Sequence, residues 1–143
     1  MKSVFADSVY WIAIARPGDP WSGAARKAKE ELGEVRIVTT DEVLTEFLTA
    51  LSGGGPKLRH LASSVVREII AHPNVRVIPQ SRDSFLDGLR LYELRGDKEY
   101  SLIDCISMNT MRAEAITEIL TSDHHFEQEG LVALMRERHK TQG

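Results

Sequence analysis

The chain has 143 residues, 42% of them hydrophobic and 27% charged, the size and make-up of one globular domain with a real core. Its formal net charge of −3 argues against a broad basic surface for nucleic acid, although four acids singled out below account for more than that charge. A single cysteine, Cys105, excludes an intramolecular disulfide and a cysteine zinc cage, and no apolar run reaches the roughly 20 residues of a membrane span.

From the N-terminus, Val4-Phe5-Ala6 reads as a short strand apolar on both faces, followed by a helix from Val9 to Ala15 with Ser8 as its cap. Charge arrives too early in Met1–Asp7 for a signal peptide, so a reducing, cytoplasmic location is expected. Pro17-Gly18-Asp19-Pro20 ends that helix, and Ser22–Leu32 is predicted as an amphipathic helix terminated by Gly33. Val35–Thr39 is the second strand. Thr39 and Glu42 have capping-box spacing for a helix running to about Leu51.

Gly53-Gly54-Gly55-Pro56 breaks the chain but is too short to link domains. A helix over Leu58–Ala71, a strand at Val75–Ile78 and a helix over Asp83–Arg95 follow. Ser101 is predicted to cap a helix reaching about Ala113, and Ala115–Leu120 is the fourth strand. Beyond it, Phe126–Lys140 is expected as short helix and irregular chain. Strands alternating with helices imply an α/β fold, a parallel sheet covered on both faces through right-handed crossovers.

Four carboxylates stand where an apolar setting disfavours charge. Asp7 follows Val4-Phe5-Ala6; Glu46 lies within the helical pattern of Val43, Leu44, Phe47 and Leu48; Asp104 is wedged between Ile103 and Cys105; Asp123 follows Ile119-Leu120. Such groups cost several kcal/mol (roughly) unless their charge is satisfied, and none has a Lys or Arg within three residues. Asp7 and Asp123 fall at the carboxyl ends of strands, where open parallel sheets bind ligands. Asp104 falls in the first turn of its helix, where the dipole favours an anion. A hard divalent cation would relieve their mutual repulsion, and all-oxygen ligation favours Mg²⁺ or Mn²⁺. Taken singly, Asp7 can be a helix cap, Glu46 an ordinary helix-margin residue and Asp123 the start of a turn; only the set points to metal-assisted phosphodiester chemistry.

The segments Val4–Ser8, Thr40–Phe47, Ser101–Cys105 and Thr121–Phe126 resemble the PIN domain, and more narrowly the stand-alone PIN proteins of the VapC toxin type. The resemblance spans residues 1–143 as a single domain. It implies a three-layer sandwich with a central parallel sheet of about four to five strands flanked by helices. It also implies an endoribonuclease cutting single-stranded RNA with Mg²⁺ or Mn²⁺, with Asp7, Glu46, Asp104 and Asp123 as catalytic residues and metal ligands. The toxin of a toxin–antitoxin pair, a VapB-type antitoxin partner and a homodimer are implied likewise, and Ser8 and Ser101 match the small hydroxyl residues beside the first and third acids. One position departs: where many members carry a second acid two residues after the fourth, this chain has His125, read first as a surface residue and otherwise as a phosphate or metal contact. His124 has less support as a ligand.

Alternatives are a stand-alone PIN nuclease of RNA processing or decay, a nuclease for structured DNA, a binding-only PIN fold and a receiver-like signalling module. The last expects an acid at the end of strand three, where Ile78-Pro79-Gln80 stands instead. Arg16, Lys57, Arg59, Arg82, Arg95 and Lys98 are available for phosphate contact, each more readily a solvated charge. Trp11 is expected in the core, Trp21 is a candidate for base stacking, and Cys105 is expected as a buried, inert thiol.

Overall fold

A computed structural model describes residues 1–136. Its order is β1 (Lys2–Ala6), α1 (Ser8–Ala15), α2 (Ser22–Leu32), β2 (Val35–Thr40), α3 (Asp41–Leu51), α4 (Pro56–Ala71), β3 (Val75–Ile78), α5 (Arg82–Leu94), α6 (Leu102–Ala113), β4 (Glu118–Leu120) and β5 (Val132–Ala133). The five strands form one parallel sheet in the order β3-β2-β1-β4-β5. β1 is central, which explains its unbroken apolar run: Val4, Phe5 and Ala6 are fully buried. Crossovers from β1 to β3 step one way along the sheet and the return to β4 steps the other. With right-handed connections, this puts α1–α4 and α5–α6 on opposite faces. The packing agrees, with α1 against α2 and α3, α3 against α4, and α5 against α6. Trp11, Cys105, Met108 and Met111 are all buried, as expected for core residues.

Three local expectations are corrected. Thr39 does not cap α3, because β2 runs one residue further: Thr39 and Thr40 pair with Val77 and Ile78. Thr40 is the cap, accepting from the Val43 N–H at 3.1 Å. The buried Thr39 hydroxyl instead donates to the Ala6 carbonyl at 2.9 Å and accepts from Trp11 Nε1 at 3.3 Å, tying β2 to β1 and α1.

The fourth strand begins at Glu118 and not at Ala115, since the end of α6 consumes the intervening residues. Ala115 is left-handed (φ 56°), its N–H bonds Arg112 O, and the Ile116 N–H reaches Met111 O at 2.8 Å. This is the two-bond helix terminator usually built around glycine, closed here by the buried pair Ile116 and Met111.

The tail holds the expected short helical turn, but also a strand where irregular chain was expected. A single 3₁₀ turn at Glu127–Glu129 precedes β5, which pairs with β4 through Glu118–Val132 and Ile119–Ala133. A two-residue strand offers no period to read, so only its neighbour reveals it. The rest of that expectation, positions 137–140, lies outside the described residues.

Candidate active site

The strand order reverses between β1 and β4, and this crevice at the carboxyl ends of the strands is where an open α/β sheet takes its ligand. Asp7 stands on its floor. The Asp7 N–H extends the pairing to Leu120 O at 3.2 Å, and its carbonyl receives the Tyr10 and Trp11 N–H groups at the start of α1. Its side chain makes no capping bond, so the carboxylate is left for the crevice. There it accepts from the fully buried Thr121 hydroxyl at 2.9 Å. Burial, then the negative charges of Glu46 and Asp104, push its pKa from 3.8 up to about 7 against the pull of Thr121.

Ser8 was expected as the cap of α1. It is instead the first helical residue, buried, and its hydroxyl donates to Glu46 Oε1 at 2.6 Å. Glu46 projects from the second turn of α3, and α1 packs directly against that helix. Desolvation raises its pKa; the Ser8 bond opposes the rise, and the charges of Asp104 and Asp123 add to it.

Asp104 is fixed by a reciprocal cap at the start of α6. Ser101 Oγ accepts from the Asp104 N–H at 3.0 Å, and Asp104 Oδ2 accepts from the Ser101 N–H at 3.0 Å. One carboxylate oxygen thus serves the helix terminus. Asp123 sits in the loop after β4, its N–H on Thr121 Oγ1 at 3.1 Å and its Oδ1 accepting from the His125 N–H at 2.9 Å.

All four acids expected from the sequence are therefore linked by charge, Glu46 and Asp104 acting on Asp7, and Asp104 and Asp123 on Glu46, although of the four only Asp104 and Asp123 belong to the tight group with His125. Among the described residues no Lys or Arg pairs with any of them. That donor set fits a hard divalent cation: four carboxylates supplying oxygen, two of them held above their usual range, and a compact trio of Asp104, Asp123 and His125 whose ligand atoms lie within 4.8 Å of one another.

Two residues were undervalued in the sequence. His125 is not a free surface group: its Nδ1 lies 3.1 Å from Asp104 Oδ2 and 3.4 Å from Asp123 Oδ1. Its placement two residues after Asp123 was visible; its direction was not. Thr121 appeared only as part of a motif, yet its one hydroxyl orders both Asp7 and Asp123. Conversely, Arg95 is withdrawn from the phosphate candidates, because its guanidinium is paired with Glu129 at 2.8 and 3.1 Å.

The PIN domain family model matches residues 4–130. The chain is 26% identical over 134 residues to the 23S rRNA-specific endonuclease VapC20 of two Mycobacterium tuberculosis strains, CDC 1551 / Oshkosh and H37Rv, covering 94% of this chain and 99% of that protein. The crystal structure of M. tuberculosis VapC20, described as a sarcin-ricin loop cleaving toxin, superposes with a TM-score of 0.79 at 24% identity, over 90% of this chain and 96% of that one. The family model spans most of the chain, and the fold superposes on a solved VapC structure: this chain belongs to the PIN domain family.

Proposed function

We propose that this PIN-domain protein is an endoribonuclease of the VapC toxin type that hydrolyses single-stranded RNA with Mg²⁺ or Mn²⁺. The family and the end-to-end likeness to VapC20 support a ribonuclease. The observation that carries the metal-dependent reading is the convergence of Asp7, Glu46, Asp104 and Asp123 from four segments, with no Lys or Arg partner among the described residues. These four would hold the cation. A bound divalent ion supplies Lewis acidity, lowering the pKa of a water and neutralising charge that gathers on the phosphate oxygens.

The chain's own residues prepare this. Thr121 orients Asp7, Ser8 orients Glu46, and the Ser101 cap fixes Asp104, which lowers the ordering that binding an ion would require. Without the ion, the crevice repels a phosphodiester; with it, the crevice attracts one. Exposed Phe85, Leu86 and Tyr92 on α5 leave apolar surface suited to a second copy or to an antitoxin, both of which we include in the proposal. Because VapC20 is a 23S rRNA endonuclease, a ribosomal RNA loop is the first substrate to try.

The test is cleavage of single-stranded and ribosomal RNA by the purified protein. Cleavage should stop with EDTA, return with Mg²⁺ or Mn²⁺, and be absent from Asp7→Asn and Asp104→Asn variants that retain the wild-type circular dichroism spectrum. Chelator-resistant cleavage, or full activity in both variants, would refute the assignment.

A further inference from the structure

Among the described residues, His125 is the nitrogen donor that lies against the acids. Its Nδ1 sits between two of them, 3.1 Å from Asp104 Oδ2 and 3.4 Å from Asp123 Oδ1. The ring is held in that direction from both sides. Its own backbone N–H is bound to Asp123 Oδ1, and its face tilts against Tyr100 with centroids 5.3 Å apart. Tyr100 is itself anchored, its buried hydroxyl donating to Glu129 Oε2 at 2.8 Å, while Arg95 and Arg112 fix Glu129 in turn. An imidazole that merely covered the surface would not need this support. The side chain is about a quarter exposed, 28%, so the ring borders the crevice and is not sealed in the core.

We propose that His125 is a metal ligand through Nδ1, and that it makes this site select Mn²⁺ over Mg²⁺, an inference that rests on the metal-dependent reading above. As a ligand the ring carries its proton on Nε2 and directs the Nδ1 lone pair toward the space it shares with Asp104 and Asp123. Imidazole is a softer donor than carboxylate. A mixed oxygen and nitrogen set therefore favours a first-row transition ion, whereas Mg²⁺ gains little from the added nitrogen. His125 thus supplies what a fifth carboxylate would not: a nitrogen donor from which Mn²⁺ gains more than Mg²⁺.

The experiment is Mn²⁺ bound to the purified full-length protein, observed by electron spin-echo envelope modulation. Wild type and His124→Gln should both show the ¹⁴N coupling of a directly bound imidazole, and His125→Gln should lose it. In His125→Gln the Mn²⁺ affinity should fall about tenfold, with the Mg²⁺ affinity, measured by competition, nearly unchanged. Bound Mn²⁺ with no imidazole coupling in the wild type, a measurement that needs no variant to fold, would overturn the assignment of His125 while leaving the acidic site intact. Persistence of the coupling in His125→Gln would overturn it also. No bound Mn²⁺ at all would instead sink the metal-dependent reading, and this inference with it.

Discussion

Asp7→Asn should stabilise the metal-free protein at neutral and alkaline pH even though it should abolish activity. Asp7 is buried, with 4% of its surface exposed, and its pKa stands at about 7 against 3.8 for a free side chain. A carboxyl whose folded pKa is raised binds its proton more tightly folded than unfolded. Its ionisation therefore opposes folding, progressively from about pH 4 and fully above about pH 7. The gap of about three pH units corresponds to an upper limit of about 4 kcal/mol, which relaxation and water entry in the crevice reduce. Asn keeps an oxygen to accept the Thr121 bond and removes the charge beside Glu46 and Asp104.

We expect a gain of about 1–3 kcal/mol at pH 8 in EDTA, or several degrees in Tm. It should shrink as pH falls through 7 and vanish near 4. Thermal melts by circular dichroism across that range are the assay. With Mn²⁺ added, the order should reverse: the wild type gains stability through ion binding and the variant gains little. Equal or lower stability of Asp7→Asn at pH 8 in EDTA, or a gain independent of pH, would refute the account of Asp7 as a buried carboxylate held against its own charge.

Glu129→Gln should act in the opposite sense. Hydrogen bonds from Arg95 lead the causes that bring the Glu129 pKa from 4.5 down to about 2, with Tyr100 and Arg112 adding to them. The charged form therefore favours folding, fully above about pH 4.5 and less as pH falls toward 2. A loss of about 1–3 kcal/mol at pH 7 that fades in acid is expected from pH-dependent melts, and a deficit unchanged between pH 7 and pH 3 would count against it. Gly88→Ala, ordinarily favourable within a helix, should destabilise by about 1–3 kcal/mol, because the added Cβ would lie 2.5 Å from Ile106 Cγ1 where α5 crosses α6. Urea titration decides the sign.

Much of the fold was legible because its signals are local. The β1 run Val4-Phe5-Ala6, the span of α2 up to the positive-φ Gly33, β3 at Val75–Ile78 and the Ser101 cap of α6 each follow from residues a few places apart. Two departures from expectation needed a distant partner. Pairing with β3 carried β2 on to Thr40, and pairing with β4 turned Val132–Ala133 into a strand.

The site divides in the same way. Four isolated acids beside apolar runs were conspicuous in the sequence because charge there demands compensation, and the carboxyl ends of parallel strands told where Asp7 and Asp123 would point. Which neighbours hold them was not legible. Ser8 and Glu46 are 38 positions apart, Asp7 and Thr121 are 114 apart, and His125 reaches Asp104 across 21. Composition and order thus determined the parallel α/β class and singled out the four acids as candidates, since propensity, capping and hydropathy act over a turn or two. The hydroxyl that orients each acid, the turn of His125 into the crevice and the loss of Arg95 to Glu129 were settled by the sheet's strand order, because a hydrogen bond depends on distance in space and not on separation along the chain.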